Sequence, residues 1–251
     1  KSPCFAADRT RVLDVPGGRI LITFEGGKLD LSDEAVVGWV RDCARAITSY
    51  YGKFPLRKTI VRIQTASGSG VGFSTATSDN EDNGLVEVPL GRNTTADGLA
   101  DDWILTHEMV HLNFPLVSGN RTWIAEGMAT YVEPLARLQA GSASSSEVWN
   151  EFARDIPQGL PERGDRGLDY TNTWERKYWG GALFFFIADL EVRSRTNNRK
   201  GLQDALSAIA AAGGHIGSRW TVEECFAFGD RATGVPVLQA LYMEMRAKPV
   251  Y

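Results

Sequence analysis

Histidine and cysteine are scarce in this sequence of 251 residues, which contains three of each. Three cysteines cannot form a disulfide-dense scaffold or a zinc site of four thiolates. A bridge between Cys4 and Cys43 would leave Cys225 unpaired, and we favour the interpretation that all three are buried or unreactive thiols. Three histidines allow few kinds of histidine site, so their positions in the sequence carry information.

Long hydrophobic runs and an excess of positive charge are also missing. The longest apolar run, residues 180–188, is far shorter than the roughly 20 residues that span a membrane. Acidic residues outnumber basic ones by 31 to 27, so there is no basic field to hold nucleic acid. We therefore expect neither a transmembrane segment nor a nucleic-acid partner.

The first residues bear on localisation. Residues 4–8 have the small side chains typical of the end of a cleaved export signal, although no charged and apolar region precedes them in the sequence. An extracytoplasmic location, periplasmic or secreted, is therefore slightly favoured over a cytoplasmic one. The composition indicates no particular oligomeric state.

The first part of the chain has the patterns of a sheet combined with helices. Its strand candidates are residues 19–24, 59–65, 71–75 and 85–90. Ser32 can cap a helix that continues to about Tyr51. Pro89 has no amide hydrogen to donate to a neighbouring strand, which predicts that the last of these strands lies at the edge of the sheet.

The rest of the chain has mostly helical patterns. A helix is expected over about residues 97–114, and further helices follow toward the end of the sequence. We expect one domain, residues 1–251, of the α+β class. Within it, a strand-rich N-terminal subdomain of about residues 11–116 is followed by a mostly helical subdomain of about residues 117–251. A functional site is expected in the cleft between them.

The motif His107-Glu108-x-x-His111 lies within the expected helix. Histidines four residues apart lie one above the other on a helix face, so both imidazoles can bind one tetrahedral zinc ion. Glu108 would lie beside the open position of that metal, where its carboxylate can take a proton from a water molecule. The motif uses two of the three histidines.

A catalytic zinc ion needs a third protein ligand. The extended form of the motif has a further histidine where this sequence has Val117, and His215 lies in a glycine-rich turn. A carboxylate is therefore required. Glu126 is surrounded by apolar residues of a second helical stretch, where an acidic side chain is costly unless it is paired or bound to a metal.

These two segments together, His107-Glu108-x-x-His111 and the later Trp-x-x-Glu-Gly-x-Ala-x-Tyr-x-Glu sequence of residues 123–133, resemble the gluzincin zinc metallopeptidases. The likeness is to the catalytic domain of the aminopeptidase N and leukotriene A4 hydrolase group and to its small peptidase-MA-like relatives. It covers about residues 97–196. The resemblance implies a zincin-like fold, one Zn²⁺ bound by the two histidines and Glu126, and a peptide or protein substrate.

The resemblance also implies roles for Glu133 and Tyr178. A glutamate seven residues after the third ligand supports the metal site in such enzymes, and orienting a ligating imidazole is a suitable task for a buried carboxylate. The segment Tyr178–Gly181 resembles the family's Tyr-x-x-Gly sequence, whose tyrosine hydroxyl supports the oxyanion of the tetrahedral intermediate. Asn172, followed by Glu175, is the expected cap of this helix.

The sequence departs from the family in two places. The spacing between His111 and Glu126 is shorter than usual, so the intervening loop must turn tightly. The Gly-x-Met-x-Asn segment with which the aminopeptidases hold a free amino group is absent, and residues 83–88 stand in its place. Glu87 in that segment is most simply a solvated strand residue. Aminopeptidase specificity is therefore not supported.

The sequence predicts a zinc-dependent peptidase in which Glu108 is the general base and Tyr178 supports the oxyanion. An extended peptide could pair with an edge strand at about residues 85–90. A second hypothesis is a gluzincin-like domain that binds a peptide, protein or cell-wall component without hydrolysing it. A third is a zinc hydrolase of a non-peptide amide or ester, which the same ligand set would serve.

Overall fold

The computed structural model of the protein describes residues 9–79, 83–117, 119 and 121–249, and its fold is α+β, as the sequence predicts. The strands are β1 (Arg9–Val15), β2 (Gly18–Glu25), β3 (Lys58–Ala66), β4 (Thr75–Ser78), β5 (Gly84–Gly91), β6 (Leu116–Val117) and β7 (Arg219–Trp220). The helices are α1 (Asp33–Tyr51), α2 (Ala96–Ala100), α3 (Ile104–His111), α4 (Thr122–Ala140), α5 (Ser145–Asp155), α6 (Trp174–Arg195), α7 (Leu202–Ala211), α8 (Val222–Thr233) and α9 (Leu238–Met245).

Strands β1 to β5 form one mixed sheet in the order β1-β2-β3-β5-β4. The inner strands β2, β3 and β5 run parallel, and β1 and β4 are antiparallel edge strands. Every second residue of the inner strands is buried, as expected for a sheet that packs one face against helices. The buried side chains include Ile20, Ile22, Val61, Ile63, Val86 and Val88.

The edge of the sheet is β4, so the prediction that Pro89 marks an edge strand is wrong. Strand β5, which contains Pro89, lies between β3 and β4. The carbonyl oxygen of Pro89 accepts a hydrogen bond of 2.7 Å from the Gly72 N–H, on the side away from β3. The nitrogen of a strand residue points to the same side as its carbonyl, so the ladder to β3 needs no N–H from the proline.

The predicted strand at residues 71–75 is displaced toward the C-terminus. The residues that pair with β5 are Thr75–Ser78, while Val71 forms an isolated bridge with Leu90. The short outer strand β4 is the one that borders the candidate site described below.

The helix predicted over residues 97–114 is two helices, α2 and α3. The carboxylate of Asp102 accepts hydrogen bonds from the backbone N–H groups of Ile104, at 3.2 Å, and Leu105, at 3.1 Å. The first amides of a helix need such an acceptor, so Asp102 starts a new helix at this point. Because α3 ends at His111, both histidines of the motif lie on one short helix.

Helices α4 and α6 cross with their backbones nearly in contact at Gly127 and Gly181. A Cβ atom added to Gly127 would overlap the Cα atom of Gly181, and one added to Gly181 would overlap the carbonyl oxygen of Trp123. Glycine at both positions is what allows this approach. The crossing fixes Glu126, which precedes Gly127, relative to Tyr178, which lies about one turn before Gly181.

Two expectations drawn from composition concern thiols and membranes. Cys43 and Cys225 are buried free cysteines, and Cys4, the other half of the possible bridge, lies outside the described residues. Among the helices that the structure describes, none is long and apolar enough to cross a membrane.

The helix crossing gives the first testable prediction. Gly127→Ala should lower the free energy of unfolding by about 1–3 kcal/mol, because the added methyl group forces α4 and α6 apart. Urea denaturation measures this change. Gly38→Ala is the matched control, since no atom lies within 4 Å of a Cβ at this position of α1. It should raise stability by about 0.5–1 kcal/mol through helix propensity, and equal effects of the two substitutions would contradict the proposed role of the contact.

Candidate functional site

Helix α3 carries the two histidines of the motif on one face. Their ring centroids are 4.9 Å apart, as the i, i+4 spacing predicts. His107 is buried with 4% of its surface exposed, while His111 is half-buried at the end of the helix. Both imidazoles present their Nε2 atoms to the same point beyond the helix surface, where a carboxylate of the next helix arrives.

That carboxylate belongs to Glu126 of α4. Its Oε2 atom lies 3.3 Å from Nε2 of His107 and 3.5 Å from Nε2 of His111. The loop between the two helices is short, yet α3 and α4 pack directly against each other and bring the three residues together. Their ligand atoms all lie within 4.8 Å of one another.

The donor set of His107, His111 and Glu126 fits a zinc ion. Zinc bonds to histidine nitrogen and carboxylate oxygen are about 2.0–2.1 Å long, so tetrahedral ligands lie about 3.3 Å apart. The separations of 3.3 and 3.5 Å between the carboxylate oxygen and the two nitrogens agree with that value. Two imidazoles and one carboxylate also leave a fourth position open.

The protonation states of His107 and Glu126 suit a cation. Burial lowers the pKa of His107 to about 4, which leaves its imidazole neutral and able to bind a metal. Burial alone would raise the pKa of Glu126, but the hydrogen bonds from both histidines hold it far below its usual value. For His111, burial acts to lower the pKa, and the hydrogen bond to Glu126 raises it overall.

Glu108, the predicted general base, projects toward the same space as the candidate metal ligands. It lines one cavity together with His111 and Glu126, and the N–H of Ala76 in β4 donates a hydrogen bond to its carboxylate. Burial raises the pKa of Glu108 to about 7, and the charge of Glu126 adds to this effect against the opposing charge of His111. Strand β4 thus lies directly beside the carboxylate.

Tyr178, the predicted oxyanion donor, lies on α6 and stacks against His107. Its ring lies nearly parallel to that of His107 at a centroid distance of 6.0 Å, and it also stacks with the ring of Trp174 at 4.5 Å. The cap of α6 is Thr173, one residue later than the predicted Asn172, because the Thr173 hydroxyl accepts a hydrogen bond of 3.3 Å from the Arg176 N–H. Burial and the negative charge of the neighbouring Glu126 raise the pKa of Tyr178, so the phenol keeps its proton.

Glu133 lies two turns along α4 from Glu126 and is buried with 3% of its surface exposed. Its Oε1 atom pairs with a guanidinium nitrogen of Arg137 at 3.3 Å. Among the described residues, the Nδ1 atom of His107 has no hydrogen-bond partner. The structure therefore brings Glu133 to Arg137 rather than to an imidazole, and the orienting role implied by the resemblance stays a prediction.

His215 makes hydrogen bonds within its own turn and does not contribute to the candidate metal site. Its Nδ1 atom accepts a hydrogen bond of 3.1 Å from the Gly217 N–H, and its backbone exchanges two hydrogen bonds with the hydroxyl of Ser218. This agrees with the interpretation of His215 as a loop residue.

The cavity beside these residues has a volume of about 280 Å³ and is lined from both parts of the chain. Sequence reasoning missed the large apolar residues that line this cavity. We call this set the apolar wall, and its members are Phe73, Phe114, Pro115, Leu116 and Ile216. The run Phe114-Pro115-Leu116 directly after the motif is a signal that could have been used, whereas nothing near Ile216 in the sequence points to the site.

Glu87, interpreted from the sequence as a solvated strand residue, does not line this cavity. Its Oε1 atom is 2.6 Å from a guanidinium nitrogen of Arg62 on the neighbouring strand β3. The segment that borders Glu108 is instead Phe73–Ala76 at the start of β4. The assignment of residues 83–88 to this place was therefore wrong, because β5 is an interior strand.

The fold is shared with zinc metallopeptidases of the M1 family. A protein of the aminopeptidase N family from Idiomarina loihiensis has a TM-score of 0.66 at 12% sequence identity, over 98% of this chain and 48% of that one. The M1 zinc metallopeptidase from Deinococcus radiodurans has a TM-score of 0.60 at 16% identity, over 97% and 52% of the two chains. A mutant of the Deinococcus radiodurans enzyme bound to a Tyr-ser-ala substrate has a TM-score of 0.61 at 14% identity, over 97% and 53%.

At these identities the likeness establishes the fold. The chain spans about half the length of the solved structures it matches. No family model matches the sequence, and no curated protein is significantly similar to it.

The burial of Glu133 predicts how stability depends on pH. Desolvation raises the pKa of its carboxyl to about 8, with Arg137 opposing the shift and Glu151 and Asp102 adding to it. Between about pH 4.5 and 8 the unfolded chain has lost this proton and the folded protein keeps it, so stability falls as the pH rises. Glu133→Gln cannot ionise and should flatten this dependence by up to about 1.4 kcal/mol per pH unit.

Urea denaturation at several pH values between 5 and 8 measures both slopes. Glu244→Gln, at an exposed position of α9, is the control and should leave the slope of the wild type unchanged. Parallel curves for wild type and Glu133→Gln would contradict the prediction.

Proposed function

We propose that this protein is a zinc-dependent peptidase. The observation that carries the proposal is the convergence of two imidazole nitrogens and one carboxylate oxygen with zinc-ligand spacing, next to a second carboxylate in a cleft. The shared fold with M1 zinc metallopeptidases supports it at the level of architecture. An extracytoplasmic location stays a prediction from the sequence.

His107, His111 and Glu126 would hold the zinc ion. When bound, zinc makes a water molecule more acidic and polarises the carbonyl group of a substrate. The three residues come from two helices whose relative position is fixed by packing, so the donor atoms are arranged before a metal arrives.

Glu108 is the general base and then the general acid. Its carboxylate takes a proton from the water molecule that adds to the scissile carbonyl carbon, and it transfers a proton to the nitrogen of the leaving amine as the C–N bond breaks. The N–H of Ala76 donates to this carboxylate and keeps it beside the cleft. Holding one group within reach of both proton transfers is a positioning effect that lowers the barrier.

Tyr178 donates a hydrogen bond to the oxygen of the scissile carbonyl as it becomes negative. Its ring stacks with both His107 and Trp174, so the hydroxyl is positioned by packing rather than by a flexible loop. A preorganised donor stabilises developing charge more than it stabilises the neutral carbonyl.

The substrate backbone pairs with β4 rather than with the strand of residues 85–90. Strand β4 is the edge strand, and β5 occupies one of its sides. The other side of β4 faces Glu108, whose carboxylate accepts a hydrogen bond from the N–H of Ala76. An extended peptide can add to such an edge through main-chain hydrogen bonds, which do not depend on its sequence.

Glu108→Gln tests the central step. The amide cannot accept a proton, so kcat/KM for peptide hydrolysis should fall by about 10²–10⁴-fold. Metal analysis should find one zinc ion per chain in the wild type and in this variant, because Glu108 is not a ligand. Glu126→Gln, in contrast, should lose zinc together with activity.

Glu87→Gln is the control, since Glu87 is paired with Arg62 away from the cleft, and it should keep full activity. Unchanged hydrolysis by zinc-loaded Glu108→Gln would refute the mechanism. Stoichiometric zinc in the wild type without hydrolysis of any peptide in a library would favour the hypothesis of a binding domain.

Tyr178→Phe tests the oxyanion donor separately. The phenylalanine ring keeps the stacking contacts with His107 and Trp174 and removes the hydroxyl. We expect kcat to fall by about 10²–10³-fold, with KM and zinc content nearly unchanged. Steady-state kinetics measure the two constants, and Tyr170→Phe, at an exposed position, is the control. A fall in zinc content, or a change confined to KM, would assign Tyr178 a different role.

A further inference from the structure

Two large apolar side chains are exposed to solvent inside the candidate cleft. Phe73 is 86% exposed and Leu116 is 46% exposed, and both line the cavity of about 280 Å³ that contains Glu108, His111 and Glu126. Single exposed apolar residues are common on protein surfaces, but two that share one concave site with polar groups are typical of a ligand pocket.

The apolar wall to which they belong is fixed by hydrogen bonds from a distant part of the chain. Leu116 N–H donates to the carbonyl of Ser218 at 2.9 Å, and Ile216 N–H donates to the carbonyl of Leu112 at 3.3 Å. The same segments pair as strands β6 and β7. Because both backbones are tied, the part of the wall formed by Leu116 and Ile216 is in place before a ligand binds, and the entropic cost of ordering that part has been met in folding.

Buried residues support the exposed ones. Phe114 and Ile216 are 3% and 4% exposed, and they form the base of the wall behind Leu116. The remaining described lining residues outside the candidate catalytic group are uncharged. A charged side chain that entered here would lose water without gaining an opposite charge from the wall, which is unfavourable.

We infer that the apolar wall is a subsite for a large, uncharged apolar side chain of the substrate, with Phe73 and Leu116 as the residues that determine this specificity. Leu116 lines the same cavity as Glu108, His111 and Glu126, so the side chain it contacts belongs to a residue near the scissile bond. This inference rests on the proposed function, since it treats the cavity as a peptide site.

The test measures binding to zinc-loaded Glu108→Gln protein, so that turnover is not required. The probes are Ac-Ala-Ala-Xaa-Ala-Ala-NH₂ peptides in which Xaa is leucine, lysine or glutamate, with both ends blocked to remove terminal charges. We expect the leucine peptide to bind at least about 10-fold more tightly than the other two, the effect of burying one such side chain. Isothermal titration calorimetry gives the three dissociation constants.

Leu116→Arg in the same background should reverse the preference. The leucine peptide should bind about 10-fold more weakly, and the glutamate peptide should bind more tightly than it does without the substitution. Leu116 is partly exposed, so arginine can be accommodated at its tip without disturbing the buried base of the wall. Phe73→Ala, at a more exposed position, should weaken binding of the leucine peptide without strengthening binding of the glutamate peptide.

Val12→Arg is the matched control. Val12 is 56% exposed on β1, the edge of the sheet opposite β4, and its substitution should leave all three constants unchanged. Equal binding of the three peptides, binding of none of them, or a preference that survives Leu116→Arg would each overturn the inference.

The outcomes separate this inference from the proposed function. Selective binding of the leucine peptide together with absence of hydrolysis by the zinc-loaded wild type would support the subsite and contradict the peptidase. Hydrolysis that depends on Glu108 but shows no preference among the three peptides would support the peptidase and contradict the subsite.

Discussion

The close approach of helices α4 and α6 at Gly127 and Gly181 is the constraint on which the site depends. Each helix carries a candidate functional residue within one turn of the contact, Glu126 on α4 and Tyr178 on α6. Because neither glycine has a side chain, the helix backbones set the distance between these two groups, and no flexible side chain intervenes. Packing of α3 against α4 then brings the imidazoles of the motif to the carboxylate. The site therefore inherits its geometry from backbone contacts, which deform less easily than side chains.

The same arrangement creates an electrostatic problem that a bound cation resolves. An ionised carboxylate and two desolvated imidazoles lie close together in a partly buried cluster, which is costly for the folded protein by itself. A divalent ion would interact favourably with all three groups and, because it binds only the folded arrangement, would add to stability. Glu133, the second buried acidic residue of α4, is accommodated differently, because burial raises its pKa to about 8 and the carboxyl stays protonated below that pH. The two acidic residues of this helix thus respond to burial differently: Glu126 stays ionised, and Glu133 keeps its proton.

The sequence was sufficient for features determined by local pattern. The H-E-x-x-H spacing, the Ser32 cap, whose hydroxyl accepts the Ala35 N–H at 3.2 Å, and the apolar surroundings of Glu126 all follow from neighbours along the chain. Features that depend on tertiary structure were not predicted from the sequence. Pro89 is compatible with an interior strand because its nitrogen faces away from β3, a fact of orientation that composition does not reveal. The apolar wall combines segments that are distant in sequence, so no window of residues could have assembled it.

Strands β6 and β7 are only two residues long, but they have a consequence for how the protein becomes functional during synthesis. Leu116 leaves the ribosome long before Ser218, its hydrogen-bond partner. Helix α3 and helix α4 can meet as soon as both have emerged, whereas one side of the cleft stays unformed until the segment before α8 has been made and has docked. Under the proposed function, assembly of the candidate metal ligands and enclosure of the substrate are therefore separated in time. A nascent chain would bring His107, His111 and Glu126 together before it could hold a peptide against them.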